Sequence, residues 1–158
     1  MTFEIKLAEE KEASIVHKIM LEAFEEYRNL EVPSSAINEP LTSIQNAIKT
    51  GKEQAILFYQ DGEALGCSRL QLDETSLYFA RLSVPPQARG KGIAKKMIKW
   101  IEKYAKGLKK KEVRCRVRLA LASNIQLYQA IGYKVVKEET VLNPNGFPVK
   151  TVIMNKQL

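Results

Sequence analysis

The chain predicts an α/β fold: a mixed, mostly antiparallel sheet of seven strands with about four helices on its faces. Three observations carry this. Short apolar runs alternate near period two and are bounded by Gly, Pro, Asn and Asp turns. Between them lie stretches in which apolar residues recur at helical spacing opposite a charged face. At 158 residues, 45% hydrophobic and 27% charged, residues 1–158 have room for one buried core and not for two independent domains.

Taken in order, residues 2–7 alternate as a short strand. Ile15, Val16, Ile19, Met20, Ala23 and Phe24 then mark a first helix. Residues 29–40, with two prolines and the pair Ser34-Ser35, read as a loop leading to a second helix over 41–49 that Thr50-Gly51 ends. Runs at 55–59, 64–72 and 77–84, separated by Gln60-Asp61-Gly62-Glu63 and Asp73-Glu74-Thr75, form a three-strand meander. Pro85-Pro86 stops the third run. Ala94, Met97, Ile98, Ile101, Ala105 and Leu108 line one face of a long helix whose other face is mostly lysine. A strand over 112–119, a short helix over 124–131 closed by Gly132, and a strand over 133–141 follow. Asn143-Pro144-Asn145-Gly146 turns the chain into a last strand over 149–154.

The net charge of +7 favours a polyanionic partner, which nucleic acid, an acidic membrane surface or a phosphorylated cofactor would each satisfy. Nucleic acid is not expected, because the helical lysines alternate with a clean core face and no basic groove interleaved with aromatics is evident. Cys67 and Cys115 lie in apolar strand runs and form no disulfide framework, so two reduced, packed thiols are expected. The first twelve residues lack an apolar signal region and no stretch reaches the ~18 apolar residues of a membrane span, which predicts a soluble cytoplasmic protein off the membrane. No metal is expected. His17, the single histidine, sits beside apolar positions of the first helix and reads as structural.

The most informative residues are Gln87-Ala88-Arg89-Gly90-Lys91-Gly92, between a strand run and the long helix. A helix start rich in glycine and cations leaves backbone N–H groups pointing outward with partial positive charge, a ready site for a pyrophosphate. Arg89 and Lys91 interleave side-chain charge with those donors, and Lys95 or Lys96 can add to it.

The element order resembles the GNAT superfamily of acetyl-CoA-dependent N-acetyltransferases. The family's phosphate signature, Gln/Arg-x-x-Gly-x-Gly/Ala, matches Gln87, Gly90 and Gly92. Its second hallmark matches Asn124, Leu127-Tyr128 and Gly132-Tyr133. This resemblance, which spans essentially the whole chain, implies acetyl-CoA as cofactor and a small-molecule or peptide primary amine as acceptor. It also implies direct transfer in a ternary complex, since no cysteine lies in either motif, and it is compatible with a homodimer. It implies backbone N–H groups from Arg89 to Ile93 on the pyrophosphate, and main-chain groups of Leu82, Ser83 and Val84 on the pantetheine arm, where the strand bulges and splays from its parallel neighbour. Asn124 would bind cofactor or cap its helix. Tyr128 would protonate the departing thiolate as general acid. Tyr27, Arg28, Ser34 and Ser35 would line the acceptor wall.

Two departures from the family stand out. Many relatives carry a glutamate base six residues before the position of Val84, where this chain has Tyr78, so the amine enters neutral or a water relay reaches Glu26, Glu31 or Asp73. The missing base leaves an alternative, a catalytically weak acyl-CoA-binding sensor or scaffold of the same fold. Secondly, Arg114, Arg116 and Arg118 alternate with Val113, Cys115, Val117 and Leu119 and so share one sheet face. Either they line a solvated face, or Arg116 and Arg118, with Arg69 and Arg81 of neighbouring strands, offer forked donors to an anionic acceptor.

Overall fold

In the computed structural model, which describes residues 2–29, 35–143 and 146–158, the period-two runs pair into one seven-stranded sheet of order β1-β2-β3-β4-β5-β7-β6. The strands are β1 (Phe3–Leu7), β2 (Gln54–Gln60), β3 (Glu63–Leu72), β4 (Ser76–Ser83), β5 (Glu112–Arg118), β6 (Lys134–Leu142) and β7 (Pro148–Gln157). The helices are α1 (Ala13–Phe24), α2 (Leu41–Thr50), α3 (Ile93–Gly107) and α4 (Ala122–Ala130). Every neighbouring pair is antiparallel except β4 and β5, which run parallel because α3 carries the chain back between them.

Local chemistry explains the tight connections. Asp61 (φ 50°) and Gly62 (φ 82°) both occupy the left-handed region, as a two-residue hairpin turn of matching twist requires. Asp73 Oδ1 accepts from the Thr75 and Ser76 amides at 3.1 and 2.8 Å and closes the next turn. That fixes Asp73 in a turn. Pro144 and Asn145 of the β6–β7 turn lie outside the described residues.

Both faces of the sheet are covered. Ile93, Met97, Ile98, Ile101 and Ala105 form the buried stripe of α3 and pack with Leu77, Phe79, Val113, Cys115 and Val117, joined by Tyr128 of α4. On the opposite face, Val16, Ile19 and Met20 of α1 and Ile44 of α2 cover Ala55, Leu57 and Cys67. Because Val113, Cys115 and Val117 face α3, Arg114, Arg116 and Arg118 project on the α1/α2 side, as alternation predicts. His17 Nε2 lies 2.9 Å from the Glu39 carbonyl and ties α1 to the residues ahead of α2, the structural role expected of it.

Two local expectations are corrected. Residues 29–40 are not simply loop: 3-10 turns occupy Glu25–Asn29 and Ser35–Asn38. And α4 starts at Ala122, because the Leu121 amide donating to the Arg118 carbonyl (2.9 Å) turns the chain early. Asn124 therefore lies in the first turn, with its amide on the Leu121 carbonyl at 3.0 Å, and does not cap the helix.

Candidate active site

β4 and β5 part company halfway along. Their parallel register runs from Ser76↔Glu112 to Phe79↔Cys115 and stops. Beyond it β4 stays with β3 while Arg116 to Arg118 stay with β7, so a gap opens between two strands that remain otherwise hydrogen-bonded. That gap is part of a cleft of about 480 Å3 whose lining includes Phe79, Ala80, Leu82, Val117, Asn124 and Tyr128.

The splay has a local cause. Between Arg69↔Ala80 and Cys67↔Ser83, β3 advances two residues while β4 advances three, so β4 carries a bulge. Arg81 sits in it at φ 53°, a left-handed conformation unusual for arginine. Strict alternation would put Arg81 on the α3 face with Phe79. The bulge turns it to the α1/α2 side, where Glu39, Arg69 and Tyr78 set its electrostatic surroundings. The Ser68 hydroxyl donating to the Ala80 carbonyl (3.0 Å) and the Ser83 hydroxyl donating to the Arg81 carbonyl (2.8 Å) hold the kink.

Past β4 the chain makes a 3-10 turn, Pro86–Ala88, in which the Arg89 amide is spent on the Pro86 carbonyl (3.3 Å). Gly90 (φ 82°) and Gly92 (φ 76°) then lead into α3, whose first amide with a backbone acceptor is Lys96 on the Gly92 carbonyl at 3.1 Å. From Gly90 to Lys95 the amides take no backbone acceptor among the described residues. A Cβ at Gly90 or Gly92 would meet nothing of the protein within 4 Å, so the cradle is open. Lys91 lies exposed beside it, and the Ile93 side chain is buried beneath. Together these fit a diphosphate.

Arg89 requires a correction. Its guanidinium does not face the cradle: Nε donates to the Val84 carbonyl (2.9 Å), Nη2 to the Ala23 carbonyl (3.1 Å), and Nη1 pairs with Glu26 at 2.8 Å. It clamps the end of α1 to the end of β4, and it occupies both the Val84 carbonyl and the candidate base Glu26. The exposed Gln87 likewise turns to α1, its amide 3.3 Å from Glu22. Lys96 lies over the Phe3 ring, 4.8 Å from its centroid.

Tyr128 lines the cleft from α4 and is 8% exposed. Phe79 meets it edge-on and Tyr133 packs at 6.2 Å between centroids. Tyr133 in turn donates to Glu102 at 2.9 Å, and Lys156 reaches the same carboxylate at 3.2 Å. Burial, then the Glu102 charge, pushes the Tyr133 phenol up and keeps it a donor. Asn124 lines the cleft one turn away.

On the α1/α2 side, Tyr78, Arg69, Arg81, Arg116 and Arg118 all reach the lining, and Arg114 does not: it pairs with Glu112 at 3.3 Å. Arg69, 5% exposed, places Nε and Nη2 on Glu53 (3.0 and 3.3 Å) and Nη1 and Nη2 on Glu39 (both 2.9 Å). With four N–H groups so engaged, it is a structural clamp and not the acceptor donor expected of it. Arg116 is anchored by Glu139 (3.2 Å) and the Thr151 hydroxyl (2.9 Å). Burial pushes the Tyr78 phenol up, against the pull of Arg116, so the position of the family's glutamate holds a neutral group. Arg28 is exposed and paired with Glu25 at 2.7 Å, and it is not among the described residues that line the cleft. Ser34 and Glu31, and the side chains of Tyr27 and Ser35, lie outside the described residues.

The family model of the acetyltransferase (GNAT) domain matches residues 51–135, spanning β2 through α4 and both glycine motifs. The chain belongs to the GNAT acetyltransferase family. No curated protein sequence matches it. Among solved structures it is similar to a GCN5-related N-acetyltransferase from Rhodopseudomonas palustris (TM-score 0.78, 16% identity, covering 100% of this chain and 97% of that one). It is also similar to the PaiA N-acetyltransferase of Thermoplasma acidophilum in complex with coenzyme A (TM-score 0.76, 17% identity, 100% of each chain). A third is YncA of Salmonella typhimurium with its cofactor acetyl-CoA (TM-score 0.72, 15% identity, 100% of this chain and 95% of that one). At these identities the likeness concerns the fold. As a GNAT protein the chain is an acyltransferase, and the family's donor is acetyl-CoA.

For this GNAT site, sequence reasoning missed Glu39 and Glu53. Both line the cleft and both are recruited by Arg69 across 30 and 16 residues. Nothing in their spacing signals this, since Glu39 simply precedes Pro40 and Glu53 follows a helix-ending glycine.

Proposed function

We propose that the protein moves an acetyl group from acetyl-CoA to a primary amine by direct transfer within a ternary complex. The observation that carries this is the parting of β4 from β5 after Phe79 and Cys115, with the open glycine cradle on the α3 side and Tyr128 in the cleft between. The amides from Gly90 to Ile93, joined by Lys91, would hold the diphosphate. The main chain of Leu82, Ser83 and the Val84 amide would align the pantetheine arm like an added strand, and Asn124 would meet it from α4. Acetyl-CoA, when bound, supplies an activated thioester. The Tyr128 hydroxyl would protonate the sulfur as the C–S bond breaks and the amine nitrogen bonds to the acetyl carbon, and the proton lost by that nitrogen would restore the phenol.

A covalent thiol route is disfavoured, because burial pushes both Cys67 and Cys115 up to about 12 and leaves neither as a thiolate at neutral pH. The unpaired state of both thiols also supports a cytoplasmic setting, and no helix among the described residues is long and apolar enough to cross a membrane.

The test is release of free thiol from acetyl-CoA against a panel of primary amines, alongside calorimetric titration with coenzyme A. Amine-dependent release supports the transferase. Tight coenzyme A binding with no release from any amine supports the sensor reading instead, and no heat on titration removes both.

A further inference from the structure

The positive charge of this chain is concentrated on one element. Residues 91–111 carry nine lysines and one glutamate, a net +8, so the rest of the chain comes to −1 against the overall +7. Glu31 is the one acidic residue outside the described ones, and a single carboxylate does not offset that excess. Within α3, Lys95, Lys99, Lys103 and Lys106 fall inside an arc of about 80°, opposite the buried Met97, Ile98, Ile101 and Ala105. All four lysines are exposed, and none has a carboxylate within ion-pair distance among the described residues. Glu102, the one carboxylate of the helix, lies on a flank where Lys156 (3.2 Å) and the Tyr133 hydroxyl (2.9 Å) engage it.

Two features of this crest select its partner. The first is spacing. Lys95, Lys99 and Lys103 step along the helix by about 6 Å, comparable with the separation of successive phosphates along a nucleic-acid strand, and lysine serves phosphate as a point charge. The second is the other flank of α3. There Lys96 lies 4.8 Å from the centroid of Phe3, which is 50% exposed and stacked on Phe58, and Trp100 stacks on Tyr104. The helix pattern by itself argued against nucleic acid; the exposed aromatic that it lacks is brought beside it by β1. A row of cations next to an exposed ring suits a backbone and its unpaired base together. A lipid surface would call for apolar side chains along the crest. Of the exposed large apolar side chains, only Leu108, past the end of the helix, belongs to residues 91–111.

We propose that the exposed crest of α3 binds the phosphate backbone of a single-stranded nucleic acid, with Lys99, Lys103 and Lys106 on successive phosphates and Phe3 offering its ring to a base. The site lies along the helix beyond the glycine cradle and is independent of the acyl-transfer reading. RNA and DNA share this chemistry.

The experiment is fluorescence anisotropy on the full chain saturated with coenzyme A, so that the cradle is filled. A labelled oligouridylate and an oligothymidylate of equal length are titrated across about 50–200 mM salt. A duplex of that length, polyglutamate and phosphatidylserine vesicles serve as competitors. A single strand should bind, its log K falling against log salt with a slope of about −2 to −3. Lys99→Gln, Lys103→Gln and Lys106→Gln combined should weaken it at least about tenfold and reduce that slope by about 2 in magnitude, with coenzyme A affinity unchanged. Lys18→Gln, Lys49→Gln and Lys52→Gln combined remove the same charge from the α1/α2 side and should alter affinity by less than about twofold. Phe3→Leu should cost at least about fivefold with the slope unchanged. A preference between the two strands names the nucleic acid as RNA or DNA, and either result supports the site. No binding, binding abolished by coenzyme A, equal losses in the two triple variants, an inert Phe3→Leu, tighter binding of the duplex, or displacement by vesicles or polyglutamate would each overturn the inference. Absent thiol release would count against the transferase alone.

Discussion

The ring of Tyr128 meets the ring of Phe79 edge-on, 5.9 Å between centroids at an interplanar angle of 81°. Phe79 is also the last β4 residue paired with β5, so the aromatic contact stands at the point where the sheet opens. The ring of Tyr128 is thus packed where the sheet opens, and a change to phenylalanine keeps that ring contact while removing the hydroxyl. Tyr128→Phe should keep the fold and coenzyme A affinity within about twofold while lowering kcat roughly 100-fold, the scale of a lost general acid. Steady-state kinetics with calorimetry checks this, and undiminished kcat assigns the proton to another group.

Gly90 offers a different separation. At φ 82° a side chain is strained, yet a Cβ there would touch no protein atom. Gly90→Val should therefore leave a folded protein less stable by about 1–2 kcal/mol, while coenzyme A affinity falls by roughly 100-fold as the amides lose their approach to phosphate. Thermal unfolding and titration read the two effects apart; retained affinity would move the phosphate site elsewhere.

Arg69→Met probes the buried clamp. Removing the cation leaves Glu39 and Glu53 facing each other without it, at a cost of about 3–5 kcal/mol. The pH dependence follows from Glu39. Burial pushes its carboxyl up, but the Arg69 hydrogen bonds and charge outweigh burial and hold it below the ordinary 4.5. Stability from the pair is thus complete above pH 4.5 and is lost as pH falls through the lower folded value. In the variant burial acts unopposed by Arg69, so the gap between the two proteins should narrow from pH 7 toward pH 3. Denaturant titrations across that range measure it, and a gap independent of pH contradicts the assignment.

Both cysteines are buried with thiols pushed up to about 12. An aromatic disulfide reagent should find close to no reactive thiol in the native protein at pH 8 and two after unfolding in urea. Rapid native labelling of Cys115, which borders the cleft, would reopen a thiol-based route.

Most elements were legible because they follow from local periods. The stripe of α3, the Asp61-Gly62 hairpin and the strand runs fall within a few residues of their expected bounds, and the two glycine-bearing motifs point to the right ligand chemistry. Two of the misreadings concern side-chain charge, whose partners lie far along the chain. Arg89 is adjacent to the phosphate glycines yet is drawn to two carbonyls and Glu26, and Arg69 is spent on two distant carboxylates.

By itself the sequence determined the fold class, the order of its elements, the open amides ahead of α3 and the shared face of Arg114, Arg116 and Arg118, because hydrophobic period and glycine conformation act over a few residues. Only the tertiary structure decided which side of the sheet each of these cations reaches and which distant carboxylates Arg69 and Arg89 engage. A bulge that rotates Arg81 across the sheet, and carboxylates arriving from segments far along the chain, set the charge balance of the cleft. Coulombic pairing depends on distances in space that no local pattern encodes.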